Sequence, residues 1–364
     1  MTTQALTLER ALAPLDRLRR AALLGLVRAP IVGALLAKRD ARLMLHSALG
    51  VAVTFALALA CPGVLYVVGP AFFGVAHVAA DARYLVLRRS LPRWWVSALG
   101  TGCAALLALR AFELAFPSAL PFAATELAVG AALTLAGCVA GALTGNSANS
   151  RSRATLVGVA VVALAAAALT RPNLARLVFA HIHNVVAVAL WLYLFRARRR
   201  FALPALALLA VAAALLLTGV ALSWVRFDGP GAARLVDEAL FAWPAWMPQR
   251  TALGLGVLFV LLQGVHYAVW LTFIPQDDTP AQGTRSFRGS WRALRRDFPA
   301  PWLTTIVVLA LLVLAASAFD VHRTRQLYLS LATFHGYLEL AAAAFFISRG
   351  RSASAPEARG PEAP

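Results

Sequence analysis

Residues 302–318 read WLTTIVVLALLVLAASA, and residues 154–170 read ATLVGVAVVALAAAALT. No charge interrupts either run. A bilayer offers no water to bond backbone N–H and C=O groups. So long an apolar run must satisfy them within itself, as a helix, or between strands, as a closed barrel. Neither run alternates with the period of two that a barrel strand needs. Both therefore read as membrane-spanning helices.

Working outward, the same criterion predicts spans near 43–61, 64–88, 95–115, 124–145, 154–171, 174–195, 201–224, 251–274, 302–319 and 326–348. The predicted fold is an all-α polytopic membrane bundle of about ten transmembrane helices. Composition agrees. Of 364 residues, 60% are hydrophobic and only 14% are charged, against about 25% in a soluble domain.

The formal net charge is +18, nearly all of it arginine, with Lys38 the only lysine. So basic a chain could bind nucleic acid, but the charges fall at alternate junctions between spans: 7–42, 83–93, 151–153, 196–200, 285–296 and 349–351. That is the positive-inside pattern. It predicts cytoplasmic N- and C-termini in a bacterial-type inner (plasma) membrane, with membrane lipids and no nucleic acid as partners. Residues 1–42 form a basic amphipathic interfacial segment, 43–348 the transmembrane bundle and 349–364 a disordered tail. The 225–250 loop carries Trp243 and Trp246 and suits the outer interface as an anchor or lid. The 275–299 loop sets Phe287, Trp291, Leu294 and Phe298 at helical spacing among arginines, as a cytoplasmic surface helix would. Cys61, Cys103 and Cys138 show no CxxC spacing and read as small apolar residues. No internal repeat is apparent.

An ionisable group inside a span costs about 2.5–3.5 kcal/mol on insertion scales and needs a reason to be there. Those present are mostly histidines: His77 with Asp81, His181 and His183 with Asn184, His266 with Gln263 and Tyr267, and His335 with Glu339. All four helices run the same way across the membrane. His181, His183 and His335 lie about seven to ten residues from the outer ends and His77 and His266 about thirteen to fifteen, a spread of about 12 Å along a helix axis. The histidines thus share one layer near the bilayer midplane. His77 and Asp81 are i,i+4 and share a face, as do His335 and Glu339. His181 and His183 are about 200° apart on a regular helix. Asn184 shares the face of His181, so His181 is preferred as a ligand and His183 is expected to be the outlier.

Imidazole plus carboxylate is the ligand set of non-haem iron, manganese or zinc. The candidate metal ligands are His77, Asp81, His181, His183, His266, His335 and Glu339, for one or two ions. Gln263 and Tyr267 are the candidate catalytic side chains. Haem between two facing histidines would leave Asp81 and Glu339 without a role. HExxH, Walker and GxSxG motifs are absent, which argues against zinc protease, ATPase and serine hydrolase. His/Asp/Glu layers also serve secondary transporters, often on broken helices. Here the four polar helices read as continuous apart from glycines, which favours an enzyme.

The His77-xxx-Asp81 motif, the intramembrane His266 and the late His335 with Glu339 resemble the bacterial membrane-embedded β-carotene cleavage dioxygenases (Brp/Blh type). The likeness covers these short patches. Ala76 precedes His77 where that family has proline, and His266 stands without a second histidine one turn away. The resemblance implies iron, dioxygen as co-substrate, and an isoprenoid or other lipid-soluble substrate. The function expected is a membrane oxygenase or oxidoreductase, with an electron-donor protein as a further partner. The alternative is an ion- or proton-coupled permease built on the same layer.

Overall fold

A computed structural model describes residues 3–89, 91–145, 147, 149–278 and 286–350. The tail expected to be disordered lies outside the described residues from 351 onward. Every regular element among the described residues is helical. In chain order they are α1 Thr3–Val27, α2 Pro30–Ala37, α3 Arg39–Ala60, α4 Pro62–Asp81, α5 Arg93–Ala115, α6 Phe122–Thr144, α7 Asn149–Thr170 and α8 Pro172–Leu194. Then come α9 Leu203–Leu217, α10 Ala232–Ala242, α11 Gln249–Ala268, α12 Phe287–Asp297, α13 Ala300–Phe319, α14 Val321–Ala332 and α15 Phe334–Arg349.

Ten helical stretches among the described residues are long and apolar enough to cross a membrane. They coincide with the ten predicted runs, α14 and α15 together making the last. The seventh is shorter than expected. It ends at Leu217 because Gly219 turns the chain through a left-handed conformation (φ 76°) into a short 3-10 turn, Val220–Trp224. Proline marks several starts: Pro62 opens α4 in the first turn, where its missing N–H costs nothing.

The chain folds as two units. One comprises Met1–Arg88 and Ala187–Tyr328, the other Arg89–Val186 and Leu329–Pro364. In the first, α11 is central. It packs against α3, α4, α9 and α10, and the span it belongs to, Gln249–Gln276, has 72% of its apolar window buried. By contrast, the α13 window has none of its residues buried although its mean hydropathy is 2.4. A helix that is apolar all round, packs on α4 and has no residue fully buried is suited to face lipid on its other sides. In the second unit α6 packs against α5, α7 and α15.

The 225–250 segment of the first unit is a built strap. Its helix α10 packs on α4 and α11. Glu238 accepts hydrogen bonds from the Tyr66 hydroxyl and from Arg234 Nε at 2.7 Å. It also pairs with Arg325 Nη1 at 3.2 Å. The Arg325 guanidinium lies 3.5 Å over the Tyr66 ring and is itself buried. Burial works against the Glu238 carboxylate, but Arg325, Tyr66 and Arg234 outweigh it and hold the group below its usual value of 4.5. A group whose pKa is lowered on folding stabilises fully above that value and loses its contribution as pH falls through the folded one. Amide protection in Ala232–Ala242 should therefore drop as pH is taken from 7 to below 4.5. Glu238→Gln should show the weaker protection at every pH. Hydrogen exchange, corrected for intrinsic rates, checks both.

At another edge of the same unit α12 forms as expected from its spacing. Asp297 at its end receives Arg83 Nε at 2.8 Å and lies 3.7 Å from Arg88 Nε.

Candidate metal centre

In the first unit α4 and α11 each place a histidine in the core. His77 and His266 are both 1% exposed. Their rings meet edge to face with centroids 5.0 Å apart, and a ligand nitrogen of one lies within 4.8 Å of one on the other. Tyr267 joins them, its ring 4.8 Å from that of His77. Asp81, one turn beyond His77, is fully buried, and Gln263, one turn before His266, is also buried.

In the second unit the His335 ring, on α15, meets the His183 ring, on α8, at 5.3 Å and near a right angle. A ligand nitrogen of His335 and a carboxylate oxygen of Glu339 lie within 4.8 Å. Glu339 is fully buried. Of the two α8 histidines, His183 is the one set against His335. The reason is helix rotation: Phe179, one turn before His183, stacks on Tyr337 with centroids 4.4 Å apart, so the 179/183 face turns to α15. His181 bonds Nδ1 to the Leu177 carbonyl at 3.0 Å, and Asn184 donates to Ala180 at 2.9 Å. The Asn184 amide on the His181 face thus serves a bond within α8, which spacing alone does not reveal.

Three imidazoles are oriented by their own helices. Nδ1 of His77 bonds the Phe73 carbonyl at 3.1 Å, Nδ1 of His181 bonds Leu177, and Nδ1 of His335 bonds Ala332. A carbonyl oxygen only accepts, so Nδ1 carries the proton and the lone pair of the neutral ring is on Nε2. That is the arrangement metal-ligating histidines adopt. The donor set fits a transition metal. Two ligands on one ion, each bonded at about 2.0–2.2 Å, sit about 3–4 Å apart, and the ligand atoms of His77 and His266, and of His335 and Glu339, lie within 4.8 Å of each other.

The expected continuity holds for α8, Pro172–Leu194, while the other three polar spans change their winding or break. α4 passes directly after Asp81 into a π-helical turn, Ala82–Leu87. The span that begins with α11 does the same directly after Ala268, over Val269–Phe273. The last span breaks at Thr333, two residues before His335, where the Thr333 hydroxyl bonds the Leu329 and Ser330 carbonyls at 3.0 Å. Hydropathy averages over a window and does not register such changes of winding. π-Helical turns recur at functional sites.

Sequence reasoning passed over two features. Tyr328, the last residue of the first unit, presses its hydroxyl against Gly74, where an added Cβ would come within 2.8 Å of it. That hydroxyl is buried and has no hydrogen-bond partner among the described residues. Tyr267 and Asp81 are near enough to act on it electrostatically. The pairing of Gly74 with His77 on one helix was the available signal. In the second unit Glu113 and Glu126, near the ends of α5 and α6 that the 116–121 loop joins, bind Arg110 and Arg176. Arg176 reaches Glu113 at 3.0 Å and Glu126 at 3.2 Å, and Arg110 reaches Glu126 at 3.4 Å. Tyr337 adds a hydrogen bond to Glu126 at 3.2 Å. Two arginines and two glutamates cancel, which is how charge is tolerated in an apolar setting.

The fold is that of a multi-pass helical membrane protein, and each unit carries a histidine pair with an acid one turn away. No protein-family model matches the chain, and neither does any curated protein or solved structure.

Proposed function

We propose that the chain is a membrane-embedded non-haem metal oxidoreductase. Iron is its metal, dioxygen its co-substrate, and its substrate a lipid-soluble molecule of the isoprenoid or lipid class. The observation that carries this reading recurs in both units: two imidazole rings face each other, with centroids 5.0 and 5.3 Å apart, and a buried carboxylate follows one of them by one helical turn. In the first unit the three residues are His77, His266 and Asp81. In the second they are His183, His335 and Glu339, with His181 also on α8. Two histidines and one carboxylate are the set that leaves open positions on non-haem iron. When bound, iron supplies the one-electron chemistry that dioxygen requires and that side chains lack.

The chain's own residues do the rest. The main-chain carbonyls of Phe73 and Ala332 hold the imidazoles in the ligating tautomer. The apolar core around them excludes water. Gln263, Tyr267 and the Tyr328 hydroxyl are buried polar groups of the same unit, Tyr267 with its ring 4.8 Å from that of His77, and Tyr328 Oη can donate a proton to a substrate oxygen. Tyr328→Phe removes only that hydroxyl, which bonds nothing described, so stability should hold. Turnover should fall about 100-fold, the lower end for a lost proton donor. Thermal unfolding and initial rates on one preparation separate the two.

The purified protein should contain iron in near-stoichiometric amount by elemental analysis. It should consume dioxygen only when a lipid-soluble substrate is present. A second reading, an ion- or proton-coupled permease, is favoured by the irregular winding of the polar helices and by the Arg/Glu network. Metal-free protein with intact ion-driven uptake into vesicles would decide for the permease and end the oxidoreductase reading.

The same proposal places both termini in the cytoplasm of a bacterial-type inner membrane. Reporter fusions after Arg200 and Arg296 should read cytoplasmic, and one between residues 228 and 243 external. Any inversion overturns the orientation.

A further inference from the structure

α1 and α12 belong to the first unit and pack against each other. Asp16 ties them together. Its Oδ1 accepts from the Phe287 main-chain N–H at 2.6 Å, and its Oδ2 accepts from Arg288 Nε at 3.0 Å. Beside this tie lies a groove of about 360 Å³ lined by Arg17, Arg19, Arg20 and Arg288, with Asp16 as its one acid. Four arginines against one aspartate leave the lining at +3. The aspartate is already engaged by α12. Arg19 is held against the Phe287 ring, its guanidinium 5.9 Å from the centroid. Arg17 and Arg20 are exposed.

The wall is not only basic. Leu23 lines the groove, and the adjoining α1 positions Leu18 and Leu24 are 69% and 59% exposed. α12 lies in the chain between two spans, Gln249–Gln276 and Ala300–Phe319, so the groove sits where helices enter the membrane. A ligand that suits it carries a compact anion for the guanidinium forks and an apolar body for the leucines. Guanidinium groups match phosphate oxygens in bidentate geometry.

We propose that this groove binds the phosphate of an anionic phospholipid at the membrane surface. Free phosphate shares the anionic chemistry but makes no use of the exposed leucines. The full chain is reconstituted in nanodiscs of phosphatidylcholine alone or mixed with phosphatidylglycerol. Lipid retention is read by native mass spectrometry and Tm by thermal unfolding. A ligand that binds only the folded state raises Tm. The wild type should retain phosphatidylglycerol and melt higher in the mixed discs. Arg17→Gln with Arg20→Gln should weaken retention about 30-fold, as expected for two basic contacts with an anionic lipid, and lose the Tm rise. Arg17→Lys with Arg20→Lys should keep most of both, which shows that the chain folds with these positions changed. Arg295→Gln with Arg296→Gln removes the same charge from α12 outside the groove and should leave both readouts as in the wild type. Equal losses in the two glutamine doubles would mean a generally basic surface and overturn the site. Displacement of the lipid by inorganic phosphate, with the same Tm rise in lipid-free detergent, would overturn the lipid as its ligand.

Discussion

His335→Ala is expected to yield protein that inserts at the wild-type level but binds its metal more than about 100-fold more weakly and shows no turnover. The figure is a lower bound, because loss of a group that merely orients a ligand already costs about 10–100-fold in affinity or activity. Insertion should survive because the ten apolar stretches that carry it are untouched. Glu339→Gln is the informative companion. If Glu339 orients rather than ligates, the variant stays within that 10–100-fold range and keeps most of its metal. His77→Ala tests the first unit in the same way. Elemental analysis and oxygen uptake on detergent-purified variants read both quantities. Iron whose removal leaves every activity unchanged would withdraw the catalytic role.

The second large effect is on folding. α15 carries His335, Glu339 and Tyr337, and its seat is α6. A Cβ at Gly137 would fall on the Ala341 carbonyl oxygen, and one at Gly141 would stand 2.5 Å from that of Phe345. In both cases the obstacle is backbone, which no rotamer change relieves. Small residues spaced by four let helix backbones approach in this way within a membrane. Gly137→Ala and Gly141→Ala should each destabilise by about 1–3 kcal/mol. The double variant should lose nearly all of its folded protein. Gly100→Ala is the control, since nothing lies within 4 Å of its Cβ position. There the usual helix preference for alanine applies, and stability should hold or rise by about 0.5–1 kcal/mol. Thermal unfolding in a single detergent compares all four.

The amino-acid sequence by itself determined the helices and their number. Runs such as 302–318 and 154–170 have one solution in lipid, because every backbone polar group must bond within the segment. The arginine-rich 287–297 segment was equally legible, since its apolar residues recur at helical spacing. The sequence also singled out the chemistry-bearing side chains, because an acid or imidazole in an apolar run costs too much to be incidental. Tertiary structure decided which of them meet. Spacing puts His181 and His183 on opposite faces of α8 but says nothing of how α8 is turned, and the stacking of Phe179 on Tyr337 settles that toward His183. Glu113 and Glu126 lie near helix ends in the sequence, and only the fold brings Arg110 and Arg176 to them. The π-helical turns after Asp81 and Ala268 change the winding without changing composition. Tyr328 became visible only through the missing side chain of Gly74. For all but the winding the physical reason is the same. Burial and backbone bonding act on each segment separately and are written in its composition, whereas helix rotation, close approach and ion pairing depend on two segments at once.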